Sequence, residues 1–180
     1  MFEINSSRMK PPMYDPDAVQ PMRDELVFVG FEELTTPEKV DEVLSPKNDE
    51  TVLVMVNSVC GCAAGSARPG VTLALQNKII PDRITTVFAG MDRDAVDYLR
   101  NKYLSTMMAS SPSMALLKNG EILFSLPRFE IEGRSPEEIA FDLTAAFNEH
   151  CSKNGPSIPE EEYKKLVHAK MCGSKIPLSK

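Results

Sequence analysis

No stretch of this 180-residue chain stays apolar for long. The longest uninterrupted apolar run is Val52–Val56, far short of the roughly 20 residues that a membrane-crossing helix needs. Met1–Lys10 has neither the apolar core nor the small-residue cleavage site of a secretory signal. The expected location is therefore the cytoplasm, with no membrane partner. Lys and Arg nowhere cluster and the formal net charge is −6, whereas phosphate binding requires concentrated cations, so no nucleic-acid partner is expected. Internal repeats and low-complexity tracts are absent. Cysteine is scarce too, with four residues at positions 60, 62, 151 and 172. Two cysteines separated by a single residue close too small a ring to constrain an unfolded chain, and cytosolic thiols are kept reduced. A structural disulfide framework is thus not expected, and Cys60 and Cys62 make better sense as a reversible redox pair or as metal ligands.

The apolar fraction of 42% and the charged fraction of 26% are those of an ordinary soluble chain. The length suits one domain with a core that needs no disulfide staples. Residues 1–14, with Pro11 and Pro12, read as a flexible arm, residues 15–151 as the domain, and residues 152–180 as a tail with a short helix. Val19, Met22, Leu26 and Val29 at three-to-four spacing predict a helix over Pro16–Val29, followed by a short strand at Phe31–Leu34. Thr36-Pro37 is a helix start for a segment ending near Leu44, before Ser45-Pro46. Thr51–Asn57 is the strongest strand, its continuous aliphatic run typical of a strand buried on both faces. A helix is expected from about Cys60 to Asn77, kinked or split at Pro69. Ile84–Ala89 is a strand and Asp92–Tyr103 a helix. Ser113–Lys118 and Glu121–Leu126 flank Asn119-Gly120, the strongest local signal for a tight hairpin. Ser135-Pro136-Glu137-Glu138 opens a helix running to His150. Ser152–Pro159 is a linker, and Glu160–Met171 an appended helix.

The order strand, helix, strand, helix, hairpin, helix begins with a βαβ unit, which requires parallel strands and a right-handed crossover. It predicts an α/β, thioredoxin-like three-layer α/β/α sandwich, with a mixed central sheet, a C-terminal β-hairpin and the appended C-terminal helix.

The chemistry falls at the C-terminal end of the central strand, where sites form in α/β sheets. Cys60 sits at the start of the following helix, whose free N–H groups and partial positive charge stabilise a thiolate. Cys62, half a turn further and expected to be less exposed, suits a resolving role. Gly61 supplies the backbone freedom that a disulfide between residues i and i+2 requires. Ser58 suits a cap for the helix or a hydrogen-bond donor to the thiolate. Ser111-Pro112, just before the strand Ser113–Lys118, is placed like the cis-proline that faces the redox pair of thioredoxin-like proteins. The pattern points to thiol–disulfide exchange. No general base for the second thiol is visible.

The stretch VNSVCGCAAGSARPG resembles the active-site segment of the bacilliredoxins. PMRDELVFVGFEELTTPEKV, TVFAGMDRDA, SSPSMALLKNGEILFSLPRFEIEG and LTAAFNEHC resemble the same family in the same order, over roughly Val19–Cys151. The resemblance implies removal of a low-molecular-weight thiol, bacillithiol, from mixed disulfides on oxidised or S-thiolated cytosolic proteins. Bacillithiol would be a co-substrate, with no bound cofactor. In that scheme Cys60 takes over the thiol and Cys62 resolves it. Both chain ends depart from the family, and the tail, with Cys172, could alter access to the site or add a third redox thiol. General disulfide isomerase or reductase activity is one alternative. A metal-binding adaptor is another, although His150-Cys151 is the only other cluster with a cysteine and sits at the end of a distant helix. Cys151 reads as a small buried hydrophobe, Cys172 as a bystander, and His168 as a solvated helix residue. Arg128 and Glu130 read as surface charge, and Arg68 as a cation two turns from the thiols. An exposed sheet edge or the appended helix could support a homodimer.

Overall fold

A computed structural model describes residues 9–170 and 176–179. Along the chain run α1 (Pro16–Phe28), β1 (Glu32–Glu33), α2 (Pro37–Leu44) and β2 (Thr51–Asn57). A π-helical segment, Ala63–Ala67, continues directly into α3 (Arg68–Ala74). There follow β3 (Ile79–Ile80), β4 (Arg83–Phe88), α4 (Arg93–Lys102), β5 (Ser113–Lys118), β6 (Glu121–Leu126), α5 (Pro136–His150), β7 (Lys153–Asn154) and α6 (Glu160–Tyr163). Among the described residues no helix is long and apolar enough to cross a membrane.

The helix starts follow local chemistry. The Asp15 side chain accepts from the Asp17 N–H, Thr36 from Lys39, and Ser135 from Glu138 in a full capping box. Proline occupies the first turn in each case. Asn119 and Gly120 both take positive φ, 53° and 77°, as the tight hairpin turn between β5 and β6 requires.

The main sheet has the order β1-β4-β2-β5-β6. β2 runs parallel to β4 and antiparallel to β5, which pairs antiparallel with β6. This is the mixed sheet and terminal hairpin of a thioredoxin-like fold. Every residue of β2 is buried, and its side chains alternate between two cores. Val52, Val54 and Val56 face Val40, Val43 and Leu44 of α2 and Ala95, Val96 and Leu99 of α4. Leu53 and Met55 face Leu26 of α1, Val71 of α3, and Ile139, Leu143 and Phe147 of α5. The apolar run in the sequence thus reflects a strand sandwiched between two helical layers.

Three expectations are corrected. Lys10–Tyr14 is not loose, because the Met13 N–H donates to the Gly90 carbonyl at 2.7 Å and the Lys10 N–H to Asp94 at 2.8 Å. The segment after Cys151 is not a plain linker. β7 pairs antiparallel with β3, and the Gly155 and Ser157 N–H groups donate to the carbonyls of Lys78 and Leu75. The appended helix stops at Tyr163. Beyond it the backbone leaves the helical path to satisfy a buried ion pair, and that demand outweighs the helical spacing of Tyr163, Leu166 and Val167. Cys172 lies outside the described residues.

α3 and α5 approach so closely that a Cβ on Gly70 would lie 2.7 Å from Cβ and Cγ2 of Ile139 and 3.1 Å from the Pro136 carbonyl. Gly70→Ala therefore overpacks this contact and lowers stability by about 1–3 kcal/mol. Thermal unfolding should show a Tm drop of about 2–4 °C for each kcal/mol.

Candidate active site

Three strand ends meet at one edge of the sheet. β5 runs antiparallel to β2 with Ser113 opposite Val56, so Ser111-Pro112 lies level with the C-terminal end of β2. β6 returns antiparallel, with Leu126 opposite Met114, which brings the chain after Leu126 to the same edge. The thiol turn leaves β2 at this point.

Asn57 anchors the turn. It is buried, its Nδ2 donates to the Met22 carbonyl at 3.1 Å, and its Oδ1 accepts from the Ser58 N–H at 2.9 Å. The Ser58 Oγ accepts from the Cys60 N–H at 3.3 Å. Gly61 begins the helical turns, with the Ala63 and Ala64 N–H groups donating to the Cys60 carbonyl at 3.1 and 3.3 Å. Cys60 and Cys62 are free, partly exposed thiols with their Sγ atoms 2.9 Å apart.

The two thiols share a neighbourhood but differ in acidity. Burial pushes Cys60 upward. Hydrogen bonds from the Cys62 thiol, the Ser58 hydroxyl and the Ala63 N–H, together with the charge of Arg128, outweigh it and hold Cys60 below the ordinary thiol value. Cys62 is pushed up to about 11 by burial, by its hydrogen bond with Cys60, and by the Cys60 charge, with Arg128 opposing. Cys62 is not set apart by depth, contrary to expectation; both thiols are partly buried. The hydrogen bonds from the Ser58 hydroxyl and the Ala63 N–H, which Cys60 alone receives, distinguish them.

Pro112 is buried and the Ser111–Pro112 peptide is cis. The Ser111 carbonyl accepts from Arg128 Nη1 at 3.2 Å, and the Arg128 N–H donates to Ser110 Oγ at 3.2 Å. Arg128 Nε also donates to Glu132 at 2.6 Å. Arg128 thus joins the proline turn to the thiols and is more than surface charge. Its place just after β6 was the available signal, since antiparallel pairing returns the hairpin to the edge where β2 ends.

Arg68 does not face the thiols. Its side chain and that of Glu25 are both 0% exposed and pair at 2.8 Å. Arg68 Nη1 donates to Asn57 Oδ1 at 3.1 Å and to the Ser58 carbonyl at 2.9 Å, and Nη2 donates to the Ala169 carbonyl at 3.0 Å. His168, expected to be solvated, lies with Nδ1 2.6 Å from Glu25 Oε1. The pair is therefore the support beneath the thiol turn.

Cys151 lies beside Thr51 at the other end of β2, with burial pushing its thiol upward. The length of β2, Thr51–Asn57, places it about 20 Å from the redox pair. Among the described residues, no group of three or more His, Cys, Asp or Glu side chains is placed to hold a metal ion.

A family model described as disulphide isomerase matches residues 14–151. A bacilliredoxin of Halalkalibacterium halodurans is 51% identical over 136 residues, 76% of this chain and 92% of that one. A bacilliredoxin of Shouchella clausii is 49% identical over 140 residues, 78% and 95% of the two chains. One from Salinibacter ruber is 46% identical over 143 residues, 79% and 83% of the two chains. Among solved structures, the thioredoxin-like domain of Arabidopsis NCP aligns at TM-score 0.44 and 19% identity, over 83% of this chain and 92% of that one. At that distance the fold rests on the strand order and hairpin of the chain itself. The matched span holds the redox turn, the proline turn and Arg128, and the chain belongs to the bacilliredoxin family of thiol–disulfide oxidoreductases.

Proposed function

We propose that the protein removes a low-molecular-weight thiol, bacillithiol in cells that make it, from mixed disulfides on cytosolic proteins. Cys60 is the nucleophile and Cys62 the resolving thiol. The observation that carries the assignment is the opposed acidity of two sulfurs 2.9 Å apart, with Cys60 held low and Cys62 pushed to about 11. A thiolate attacks and a thiol does not.

In the first step the Cys60 thiolate attacks the small thiol's sulfur in the protein mixed disulfide. A Cys60–S–S–R bond forms, the old S–S bond breaks, and the protein thiolate leaves and takes a proton from solvent. Conversion of Cys60 to a disulfide removes its negative charge, which had helped to raise Cys62. Cys62 then loses its proton more readily, with Arg128 still favouring its thiolate. This change supplies the deprotonation without a dedicated base. In the second step the Cys62 thiolate attacks Cys60 Sγ and the small thiolate leaves. The resulting Cys60–Cys62 disulfide is returned to two thiols by a thiol reductant. Ser58 and Gly61 act through the shape of the turn, and Ser111 and Pro112 form the facing wall.

The test uses a model protein carrying a bacillithiol mixed disulfide, with a glutathione mixed disulfide as control, and intact mass as the readout. Cys60→Ala should be inert, and Cys62→Ala should accumulate the small-thiol adduct on Cys60. An inert Cys62→Ala, together with an active Cys60→Ala, would reverse the assignment. A thiol titration checks the electrostatics independently. The rate of Cys60 alkylation should rise with pH through a midpoint lower than that of an ordinary thiol, and Arg128→Gln should move that midpoint upward. In Cys60→Ser, the Cys62 midpoint should fall from about 11 toward the ordinary value.

A further inference from the structure

Within the C-terminal segment beyond the family span, His168 and Lys170 lie beside the redox helix and border an open cavity there. The cavity, about 340 Å³, is lined by Gly61, Ala64, Gly65 and Pro69 on one side and by His168 and Lys170 on the other. That volume lies at the small-molecule end of binding sites and is too small for a folded partner. A Cβ placed on Gly61 or Gly65 would meet nothing within 4 Å, so the floor beside the cysteines is open backbone. Neither cysteine lines the cavity, but Gly61, between them in the chain, does, so the cavity adjoins the redox turn.

The second wall is firmly held. His168 lies 2.6 Å from Glu25 Oε1, and the Ala169 N–H donates to Glu25 Oε2 at 3.0 Å. The Ala169 carbonyl accepts from Arg68 at 3.0 Å. Tyr163 and Leu166 pack against the main core, and Ala169 against the small cluster that contains Val59. These contacts fix the backbone immediately before Lys170. Among the described lining residues, Lys170 brings the only full charge that is not already facing a partner, and it is exposed.

We infer that this cavity seats the small-thiol half of the mixed disulfide and that Lys170 selects a thiol bearing a carboxylate. The inference rests on the exchange reading above and specifies its substrate class. A seated small thiol presents its own sulfur to Cys60, so the Cys60–S–S–R bond forms and the protein thiolate departs from the open side. Lys170 is a specificity residue and takes no part in bond making.

The experiment uses the full chain and three mixed disulfides on one model protein, made with 3-mercaptopropionate, 2-mercaptoethanol and cysteamine. These carry negative, zero and positive charge. The readout is the rate of adduct formation on Cys60 by intact mass, with every variant carried on a Cys62→Ala background so that the adduct is not resolved. The expected result is a preference for 3-mercaptopropionate over 2-mercaptoethanol of about two- to fivefold, the scale of one exposed ion pair. That ratio should collapse toward one in Lys170→Gln, and Lys170→Glu should favour cysteamine over 3-mercaptopropionate. Lys78→Gln, an exposed lysine beyond the far end of α3, should keep the wild-type ratio. An unchanged ratio in both Lys170 variants, or an equal loss in Lys78→Gln, overturns the inference and leaves the exchange reading intact. Absence of any Cys60 adduct with all three probes overturns the exchange reading, and this inference falls with it.

Discussion

A fully buried ion pair, Arg68–Glu25, fixes the position of everything at the redox edge. Two charges removed from water are costly unless each remaining donor and acceptor finds a partner. Here they do. Glu25 Oε2 accepts from Arg68 Nε and from the Ala169 N–H, and Oε1 faces His168. Arg68 divides its other donors among Asn57, the Ser58 carbonyl and the Ala169 carbonyl. One guanidinium therefore joins α1, the end of β2, the redox helix and the C-terminal segment. The geometry of Ser58, and through it the Cys60 N–H, is set by a charge that never touches a sulfur.

The thiols inherit their difference from that frame. Burial penalises both thiolates, so burial alone cannot choose a nucleophile. The Ser58 hydroxyl, the Ala63 N–H and the Cys62 thiol all favour charge on Cys60. Its hydrogen bond with Cys60 and the Cys60 charge raise Cys62 instead. Arg128 lowers both, so it adds reactivity without setting direction. Its tether to Ser111 couples the proline turn to the same charge. In the exchange proposed above, a mixed disulfide at Cys60 removes the charge that helps to raise Cys62, so the pair would advance by its own change of charge.

Local features of the fold were legible because their causes are local. The caps at Asp15, Thr36 and Ser135, the Asn119-Gly120 turn and the aliphatic run of β2 each depend on a few adjacent residues. The βαβ order and the hairpin then leave few topologies, and Cys60 and Cys62 could be placed at the end of β2 from that order, with Pro112 brought to them by its likeness to the proline of thioredoxin-like proteins. The partners of Arg68 could not. Glu25 is 43 residues away and Ala169 is 101 away, and no periodicity links them. Arg128 was legible in principle from antiparallel pairing but looked like ordinary surface charge. The segment after Tyr163 carried a helical spacing that the buried pair overrode, and β3 and β7 are too short to leave a pattern.

The π-helical segment explains how Arg68 reaches its place. An α-helix repeats its hydrogen bonds every four residues, and a π turn every five. The Arg68 N–H donates to the Ala63 carbonyl, five residues back, so one additional residue is taken into the turn. Ala63, Ala67 and Arg68 are all 0% exposed. With uniform α-helical winding, the residue stacked one turn beyond Ala63 would be Ala67, and Arg68 would be rotated away from that line. The wider turn keeps Arg68 on the inner face above Ala63, toward Glu25 and the Ser58 carbonyl. Small side chains at Ala63, Ala64 and Gly65 permit the widening without a clash, and Pro69, at the first turn of α3, resumes α-helical winding where its missing N–H is least needed. The run AAGSARPG after Cys62 is thus explained by backbone geometry. It converts a helix that begins at a redox turn into one that delivers a buried cation beneath that turn.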